Sequence, residues 1–228
     1  MYVEFIGLPG SGKSSLLSAL TKKSAKSAVP CHSLKTVADK THAKLIQMPG
    51  YLKRKPGRGW FLGMLTFAHQ HPDVFRILFE NSISDSWINL NVMELLGQYY
   101  FAQRAELGRQ PILCDEGFLH RGATAFSEPD RYSDMETYLS HIPLCDAVIH
   151  IDLDIEQALA RCKQRRKGLP KAYQALPEGE VIEIMTAVQE MHQLCIRHQE
   201  DAGVRVIKVD GLRPLEELRS EVYEVLVS

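Results

Sequence analysis

The sequence predicts a three-layer α/β/α fold, with helices covering both faces of a mainly parallel sheet of about five strands. Short, nearly all-apolar runs alternate with longer stretches in which apolar residues recur at helical spacing. Strands that are apolar at almost every position suit a sheet buried on both faces. The composition, 45% hydrophobic and 24% charged over 228 residues, is that of a globular chain with a substantial core.

The first strand and the first helix enclose a glycine-rich loop. Tyr2 to Ile6 predicts a strand and Ser15 to Leu20 predicts a helix. The segment between them, Gly7-Leu8-Pro9-Gly10-Ser11-Gly12-Lys13-Ser14, fits the pattern G-x-x-x-x-G-K-S/T. Glycines let such a loop curl until its backbone N–H groups point inward, and the helix that follows adds its unpaired N-terminal donors. A P-loop for the phosphates of a nucleoside triphosphate, taken to be ATP, is therefore predicted.

The geometry of a P-loop predicts roles for individual residues in it. Lys13 is expected to reach the outer phosphates, and the Ser14 hydroxyl is expected to ligate Mg²⁺. A chance glycine-rich turn is the alternative, and the strand–loop–helix setting argues against it. The residues expected to contact the nucleotide here are Gly7, Pro9, Gly10, Ser11, Gly12, Lys13, Ser14 and Ser15.

The next part of the chain predicts mostly helices. A weak strand at 28–32 precedes a helical stretch at 37–47, which Pro49-Gly50 ends. Residues 51–59 form a basic loop, whose cations at 53–58 are either solvated or clamp an anionic acceptor. From Trp60 to Leu107 the apolar residues keep helical spacing, with a break at Pro72 and a stop at Gly108. This block is expected to be helical, with its aromatic residues in the core.

The second half of the chain returns to alternating strands and helices. Strands are predicted at 111–115, 146–151 and 204–209. Between the last two, Asp154 with Gln157 resembles a capping box at the start of one helix, and a longer helix spans Val181 to Cys195 and ends before Gly203. Pro214 is expected to begin a closing helix.

An acid follows the strand at 111–115. Ligands of parallel α/β sheets bind at the carboxyl ends of the strands, where Asp115 and the P-loop are expected to converge. Asp115 is the candidate for accepting a proton from an acceptor hydroxyl or for holding Mg²⁺. Glu116 is either a second functional acid or an exposed turn charge, and His120-Arg121 is a candidate acceptor contact.

With these pieces in place, the chain resembles the P-loop kinases of the nucleoside and nucleotide kinase group, most of all the thymidylate-kinase-like branch. The resemblance is carried by segments 7–14, 112–115, 148–166 and 206–211. It implies that Asp115 lies beside acceptor and Mg²⁺, that Arg161 and Arg165 lead into a lid at about 161–178, and that Asp210-Gly211 lies beside the base. The family usually has Arg directly after the acid, whereas here Asp115-Glu116-Gly117 is followed by Arg121.

These residues fit two main classes of function. The first is a Mg²⁺-dependent phosphotransferase that moves the γ-phosphoryl group of ATP to a nucleoside, a nucleoside monophosphate or another hydroxyl compound. Its expected catalytic residues are Lys13, Asp115, Glu116, Arg121, Arg161 and Arg165. The alternative is a P-loop hydrolase or switch that uses Asp115-Glu116 as a Walker B-like pair to position water. A third, non-catalytic interpretation has nucleotide merely stabilising a binding surface.

The composition and net charge limit the classes of partner and the compartment that are expected for this chain. A net charge of −1 gives no general attraction to nucleic acid polymers or anionic membranes. The strand that begins at residue 2 leaves no room for a signal peptide, so the cytoplasm is the expected compartment. Five cysteines without a C-x-x-C pair predict reduced thiols, and the His69/His71 pair is not expected to bind metal.

A single P-loop kinase-like domain over 1–228 is expected, because no linker or internal repeat divides the chain. Its acceptor region is predicted as a helical insertion at about 51–108. The helical block at 73–108 suits packing either on the sheet or on a second copy, so a homodimer is among the expected partners.

Overall fold

A computed structural model describes residues 1–22, 29–45, 57–82, 86–127, 131–166 and 168–228. Its sheet has the strand order β2-β3-β1-β4-β5, and every neighbouring pair is parallel. The strands are β1 (Tyr2–Ile6), β2 (His32–Ser33), β3 (Ile112–Cys114), β4 (Ala147–Asp152) and β5 (Arg205–Asp210). The predicted α/β fold with a parallel five-stranded sheet is therefore confirmed.

The helices follow the predicted order. The bounds are α1 (Lys13–Thr21), α2 (Leu34–Leu45), α3 (Gly57–Gln70), α4 (Pro72–Ser82), α5 (Ser86–Ala102), α6 (Phe118–Ala125), α7 (Tyr132–His141), α8 (Ile155–Gln164), α9 (Glu178–Asp201) and α10 (Leu215–Val227). The predicted helical block breaks at Pro72 as expected, but its last helix ends at Ala102, so residues 103–107, which were predicted to be helical, are not. Among the described residues, no helix is both long and apolar enough to cross a bilayer.

Alternation along the strands divides the core into two faces. On β4, Val148 packs with the cluster under α3 to α7 and α9, whereas Ile149 packs with the cluster under α1 and α10. A third cluster joins α8 and α9 to Leu8 of the P-loop. The P-loop thus rests on a packed helix pair as well as on the sheet, which restricts its motion.

The register of the paired strands determines where the candidate site lies on the sheet. β1 is central, with Glu4 opposite Cys114 of β3 and Ile6 opposite His150 of β4. The chain leaves β1 directly into the P-loop and leaves β3 directly into Asp115. Both segments therefore emerge at the same edge of the sheet.

Two glycines explain how α3 and α5 pack so closely. A Cβ on Gly97 would lie 2.5 Å from the Trp60 carbonyl oxygen, and one on Gly63 would lie 3.0 Å from the Gly97 Cα. Larger side chains at either position would force the two helices apart. The helical block therefore packs closely within itself, and its inner side joins the core cluster on one face of the sheet.

Several local expectations differ from the structure. The weak strand predicted at 28–32 lies at His32–Ser33, and α2 begins at Leu34, earlier than predicted. Asp154 does occupy the N-cap of α8, but its side chain makes no capping hydrogen bond. All five cysteines are free and buried. The described residues contain no cluster of three or more potential metal ligands of the His, Cys, Asp and Glu types.

Candidate active site

Glycine is required at different positions of the P-loop for different physical reasons. Gly7, Gly10 and Gly12 have φ values of +146°, +91° and +104°, a region that L side chains rarely adopt. A Cβ on Gly10 would also lie 2.3 Å from the Ala158 carbonyl oxygen of α8. Nothing lies within 4 Å of a Cβ on Gly12, so there the backbone conformation alone requires glycine. The loop is curled and packed against α8.

The N-terminus of α1 is left uncapped by side chains. Gly12 is the N-cap residue and makes no side-chain hydrogen bond, and the helical ladder begins with Leu16 N–H donating to the Gly12 carbonyl at 2.9 Å. The first-turn amides of a helix have no partner within the helix itself. Together with the positive end of the helix dipole, they form a cradle that suits a phosphate group.

Lys13 is turned inward over this cradle. Its side chain is 9% exposed, and Nζ donates to the carbonyl oxygens of Gly7 and Leu8. Burial lowers the pKa of Lys13 to about 8, and the nearby Glu116 and Asp115 partly oppose that shift. The ammonium group is thus held inside the loop, where a bound phosphate would be a stronger partner than the two carbonyls.

This pKa predicts a pH dependence of ATP binding. Below pH 8 Lys13 is charged in the free protein, whereas above pH 8 binding to phosphate requires the uptake of a proton. The dissociation constant is therefore expected to rise by up to about tenfold per pH unit above pH 8. Calorimetry in buffers of different ionisation enthalpy measures both the affinity and the protons taken up.

Lys13→Arg is the matched variant, because guanidinium stays protonated throughout this range. It should abolish the proton uptake between pH 8 and 9.5, whereas below pH 8, where Lys13 is already charged, the two proteins should take up the same number of protons. Proton uptake that persists in Lys13→Arg would assign the titration to another group and contradict this account of the lysine.

Ser14 and Asp115 meet at the mouth of the loop. The Ser14 hydroxyl donates to Asp115 Oδ2 at 2.7 Å, joining residues that are 101 positions apart in the chain. Mg²⁺ prefers oxygen ligands and binds proteins through one or two carboxylates plus substrate phosphates. These two oxygen donors, beside a phosphate cradle, therefore fit the predicted Mg²⁺.

Glu116 and Arg121 form an ion pair next to Asp115. Arg121 Nη2 donates to Glu116 Oε2, and the arginine side chain is 18% exposed against 54% for the glutamate. The buried Nε of Arg121 has no hydrogen-bond partner among the described residues. The guanidinium is therefore held at the site by one carboxylate and retains a donor for a further acceptor.

The predicted lid residues lie on the other side of the P-loop. Arg161 Nη1 donates to the Gly211 carbonyl at 2.9 Å, which joins the arginine helix to the predicted base loop. Arg165, at the end of α8, donates to Cys162 Sγ and to the Gly168 carbonyl at 3.0 and 3.3 Å. Asp210 Oδ1 accepts from Leu212 N–H at 2.8 Å and so stabilises its own turn.

A cavity of about 220 Å³ opens beside Asp115. Polar side chains of α5 at helical spacing, Asn91, Glu94 and Gln98, line one wall of it. Gln98 Nε2 donates to Glu94 Oε1 at 2.7 Å. The remaining lining residues are Leu17, Ser33, Leu34, Lys35, Leu95, Leu113, Cys114, Asp115, Glu116 and Arg121.

The sequence placed the acceptor region at about 51–108 but did not single out these α5 residues. Their signal was present as three polar residues at i, i+3 and i+7 in a mainly apolar helix. The expected anion clamp at 53–58 has no structural account, because segment 46–56 and the side chain of Arg58 lie outside what the structure describes, as does Lys167.

Three histidines lie near Lys13, of which His150 and His192 are buried and His120 is partly exposed. His120 and His192 stack with ring centroids 6.1 Å apart, and His150 lies in β4 opposite Ile6. Each has one buried ring nitrogen without a hydrogen-bond partner among the described residues. Burial, reinforced by the charge of Lys13, lowers the pKa of all three, that of His192 to about 3. The imidazoles are therefore neutral near pH 7 and add no positive charge beside Lys13.

Comparison with known proteins gives similarity in structure only. No protein-family model and no curated protein sequence matches the chain. Deoxyadenosine kinase from M. mycoides, solved with dCMP and dCDP, matches with a TM-score of 0.56 at 14% identity, over 100% of this chain and 99% of that one. The same kinase with dATP gives a TM-score of 0.53 at 14% identity, covering 100% of both chains.

Thymidylate kinase from Candida albicans gives a TM-score of 0.54 at 15% identity, covering 99% of this chain and 90% of the other. Identities this low establish a shared fold rather than a shared substrate. The match extends over the whole length and includes the sheet that carries the P-loop. The chain therefore has the fold of the P-loop nucleoside and nucleotide kinases, as the resemblance of its motifs implied.

Proposed function

We propose that this chain is an ATP-dependent phosphotransferase that moves the γ-phosphoryl group of ATP to a hydroxyl group of a small molecule. One observation carries the proposal: Asp115 belongs both to the P-loop site, through its bond with Ser14, and to the lining of the neighbouring cavity. A phosphoryl donor and an acceptor bound on the two sides of one carboxylate would be adjacent, which is the alignment that phosphoryl transfer needs.

The P-loop residues would bind ATP, the phosphoryl donor. The amides of the cradle and Lys13 would hold the β- and γ-phosphates, and Ser14 with Asp115 would hold Mg²⁺. When bound, Mg²⁺ neutralises charge on the phosphates. Arg161 and Arg165 are proposed to close over the same phosphates, and the Asp210-Gly211 loop is proposed to contact the base.

The reaction is a direct displacement. The acceptor oxygen forms a bond to the γ-phosphorus while the bond from that phosphorus to the β-phosphate oxygen breaks, and ADP leaves. The acceptor hydroxyl loses its proton, for which Asp115 is the proposed base. Arg121, tied to Glu116 beside the cavity, would contribute positive charge near the transferring group.

The charges around the cavity favour an uncharged acceptor. Its described lining contains the carboxylates Asp115, Glu116 and Glu94 and the cations Lys35 and Arg121. Both cations already pair with carboxylates, Arg121 with Glu116 and Lys35 with Glu94 at 3.9 Å. The described lining therefore has no surplus of positive charge for an acceptor that already carries a phosphate.

A nucleoside is the proposed acceptor. The amide of Gln98 and the carboxylate of Glu94 offer both donors and acceptors, the arrangement that reads the edge of a base. Deoxyadenosine kinase, a protein with the same fold, is named for such an acceptor. The position of α5 in the cavity wall also supports the acceptor role proposed for region 51–108.

Product analysis with γ-labelled ATP tests the proposal. The panel contains nucleosides, nucleoside monophosphates, sugars and aminoglycosides, and labelled product is expected only with nucleosides. Label in monophosphates alone would contradict the uncharged acceptor. Phosphate release at the same rate with and without every acceptor would contradict transfer altogether and favour the hydrolase that uses Asp115 and Glu116.

Gln98→Leu tests the acceptor wall. Losing a hydrogen bond to the acceptor and leaving its polar atoms unpaired costs about 1–3 kcal/mol. The KM for the acceptor is therefore expected to rise by about tenfold or more, whereas the KM for ATP stays unchanged. Gln103→Leu, just beyond the end of α5 and outside this cavity, is the matched control. Equal acceptor KM values for both variants would contradict the assignment.

A further inference from the structure

A fully buried glutamate links β1 to the start of α6. Glu4 has no exposed surface, although it lies in the strand that leads into the P-loop. Its two carboxylate oxygens accept the N–H groups of Phe118 and Leu119 at 2.8 and 2.9 Å. The Tyr2 hydroxyl donates to Oε1 at 2.8 Å. The carboxylate is thus bonded to donors on both of its oxygens.

The backbone of α6 is shaped to this carboxylate. Gly117 is the N-cap residue of α6 and makes no side-chain capping bond. A Cβ on Gly117 would lie between 2.2 and 2.5 Å from the Glu4 carboxyl atoms. Only glycine allows this approach, so a side chain from another strand supplies the negative charge that a capping residue normally supplies at a helix N-terminus.

The ionised form of Glu4 is the one that this arrangement needs. Burial raises the pKa of Glu4, while the hydrogen bonds from Leu119, Tyr2 and Phe118 act in the opposite direction. The titratable groups that face it are Tyr2 on its own strand, Tyr99 on α5, Cys114 on β3, Tyr138 on α7, Cys145 before β4 and Cys195 on α9. Burial raises the pKa of each of these, so they stay neutral near pH 7, and Glu4 is the one among them whose ionised form accepts three hydrogen bonds.

The contact between Glu4 and α6 can affect the candidate site because site residues lie close to both partners along the chain. On β1, the P-loop begins three residues after Glu4. On the other side, Asp115 and Glu116 directly precede Gly117, and Arg121 follows one turn into α6. The Tyr138 hydroxyl donates to the Phe118 carbonyl at 2.9 Å and secures the same turn from α7.

We propose that Glu4 is a positioning residue: its buried carboxylate fixes the start of α6 and thereby holds Asp115, Glu116 and Arg121 against the P-loop. The catalytic consequence depends on the proposed function. Displacing a catalytic group by about 1 Å can reduce turnover about 100-fold. The hydrogen bonds to the Glu4 carboxylate come from Tyr2, Phe118 and Leu119, which lie outside the P-loop, so the affinity for ATP should not depend on them.

Glu4→Gln is the test, because a carboxamide has only one oxygen and must turn its NH₂ toward a backbone N–H. The kcat for transfer is expected to fall by about 10-fold to 100-fold, with the dissociation constant for MgATP unchanged. Gly117→Ala, which crowds the same contact without changing charge, should shift kcat in the same direction. Tyr2→Phe, which keeps both bonds to α6, should retain kcat within about threefold.

Amide hydrogen exchange supplies a readout that does not require transfer. The N–H groups of Phe118 and Leu119 should exchange faster in Glu4→Gln and in Gly117→Ala than in the wild type or Tyr2→Phe. Exchange that is accelerated in protein without any phosphotransferase activity would overturn the proposed function and not this contact. Unchanged exchange at both amides, or equal losses in kcat and MgATP affinity, would overturn the positioning role. If Glu4→Gln does not fold, the comparison of Gly117→Ala with Tyr2→Phe decides.

Discussion

Replacing Asp115 with asparagine is expected to reduce kcat for phosphoryl transfer by at least about 100-fold, the lower end of what general-base catalysis contributes. The amide can still accept the hydrogen bond from Ser14, which spans 2.7 Å in the native protein, so the local structure should persist. It cannot take up the acceptor proton, and it is a poorer ligand for Mg²⁺. Steady-state kinetics, with a circular dichroism spectrum to verify folding, measures the effect.

Asp152→Asn is the matched control for this experiment. Asp152 is also an acid at the carboxyl end of a strand, but it is exposed and ends β4 rather than lining the acceptor cavity. Its kcat should stay within about twofold of the wild type, as for most surface substitutions away from a site. A folded Asp115→Asn protein with the same kcat as Asp152→Asn would contradict the role assigned to Asp115.

Lys13→Met is expected to reduce kcat/KM for ATP by about 1000-fold, because a preorganised cation at the transferring phosphate is lost. The melting temperature should not fall. The pKa of Lys13 in the folded protein, about 8, lies below its ordinary value of 10.5, so at pH 7 burial of this charge opposes folding. Methionine fills a similar volume without that cost, and kinetics together with thermal unfolding separates the two effects.

Lys22→Met provides the comparison, since Lys22 is exposed directly after the same helix. Neither activity nor melting temperature should change appreciably in that variant. A large loss of stability in Lys13→Met would mean that the lysine serves to hold the loop together through the Gly7 and Leu8 carbonyls. That result would weaken its assignment as a phosphate contact.

The parts of the site that depend on local sequence were predictable. The glycines, Lys13 and Ser14 lie within eight consecutive residues, and the strand and helix on either side have clear periodicity. The position of Asp115 could be predicted for a similar reason, because the end of a buried strand determines where the next residue emerges from the sheet. The order of strands and helices followed from the same patterns, including the break at Pro72.

The parts that depend on contacts between distant segments were not predictable. The cavity beside Asp115 joins α5 to the ends of β2 and β3, and Glu4 meets an amide that lies 114 residues away. An acid within an apolar strand carries no local sign of its partner. Similarly, Asp154 occupies an N-cap without making the capping bond, because spacing alone does not orient the side chain.

Binding of MgATP to the folded protein is the most direct test of the central claim that the loop from Gly7 to Ser15 holds a triphosphate. Isothermal titration calorimetry at pH 7 should give one site per chain, with affinity that depends on Mg²⁺ and is strongly reduced in Lys13→Met. Folded wild-type protein that takes up neither MgATP nor MgGTP, or binds them as well after Lys13→Met, would contradict the claim.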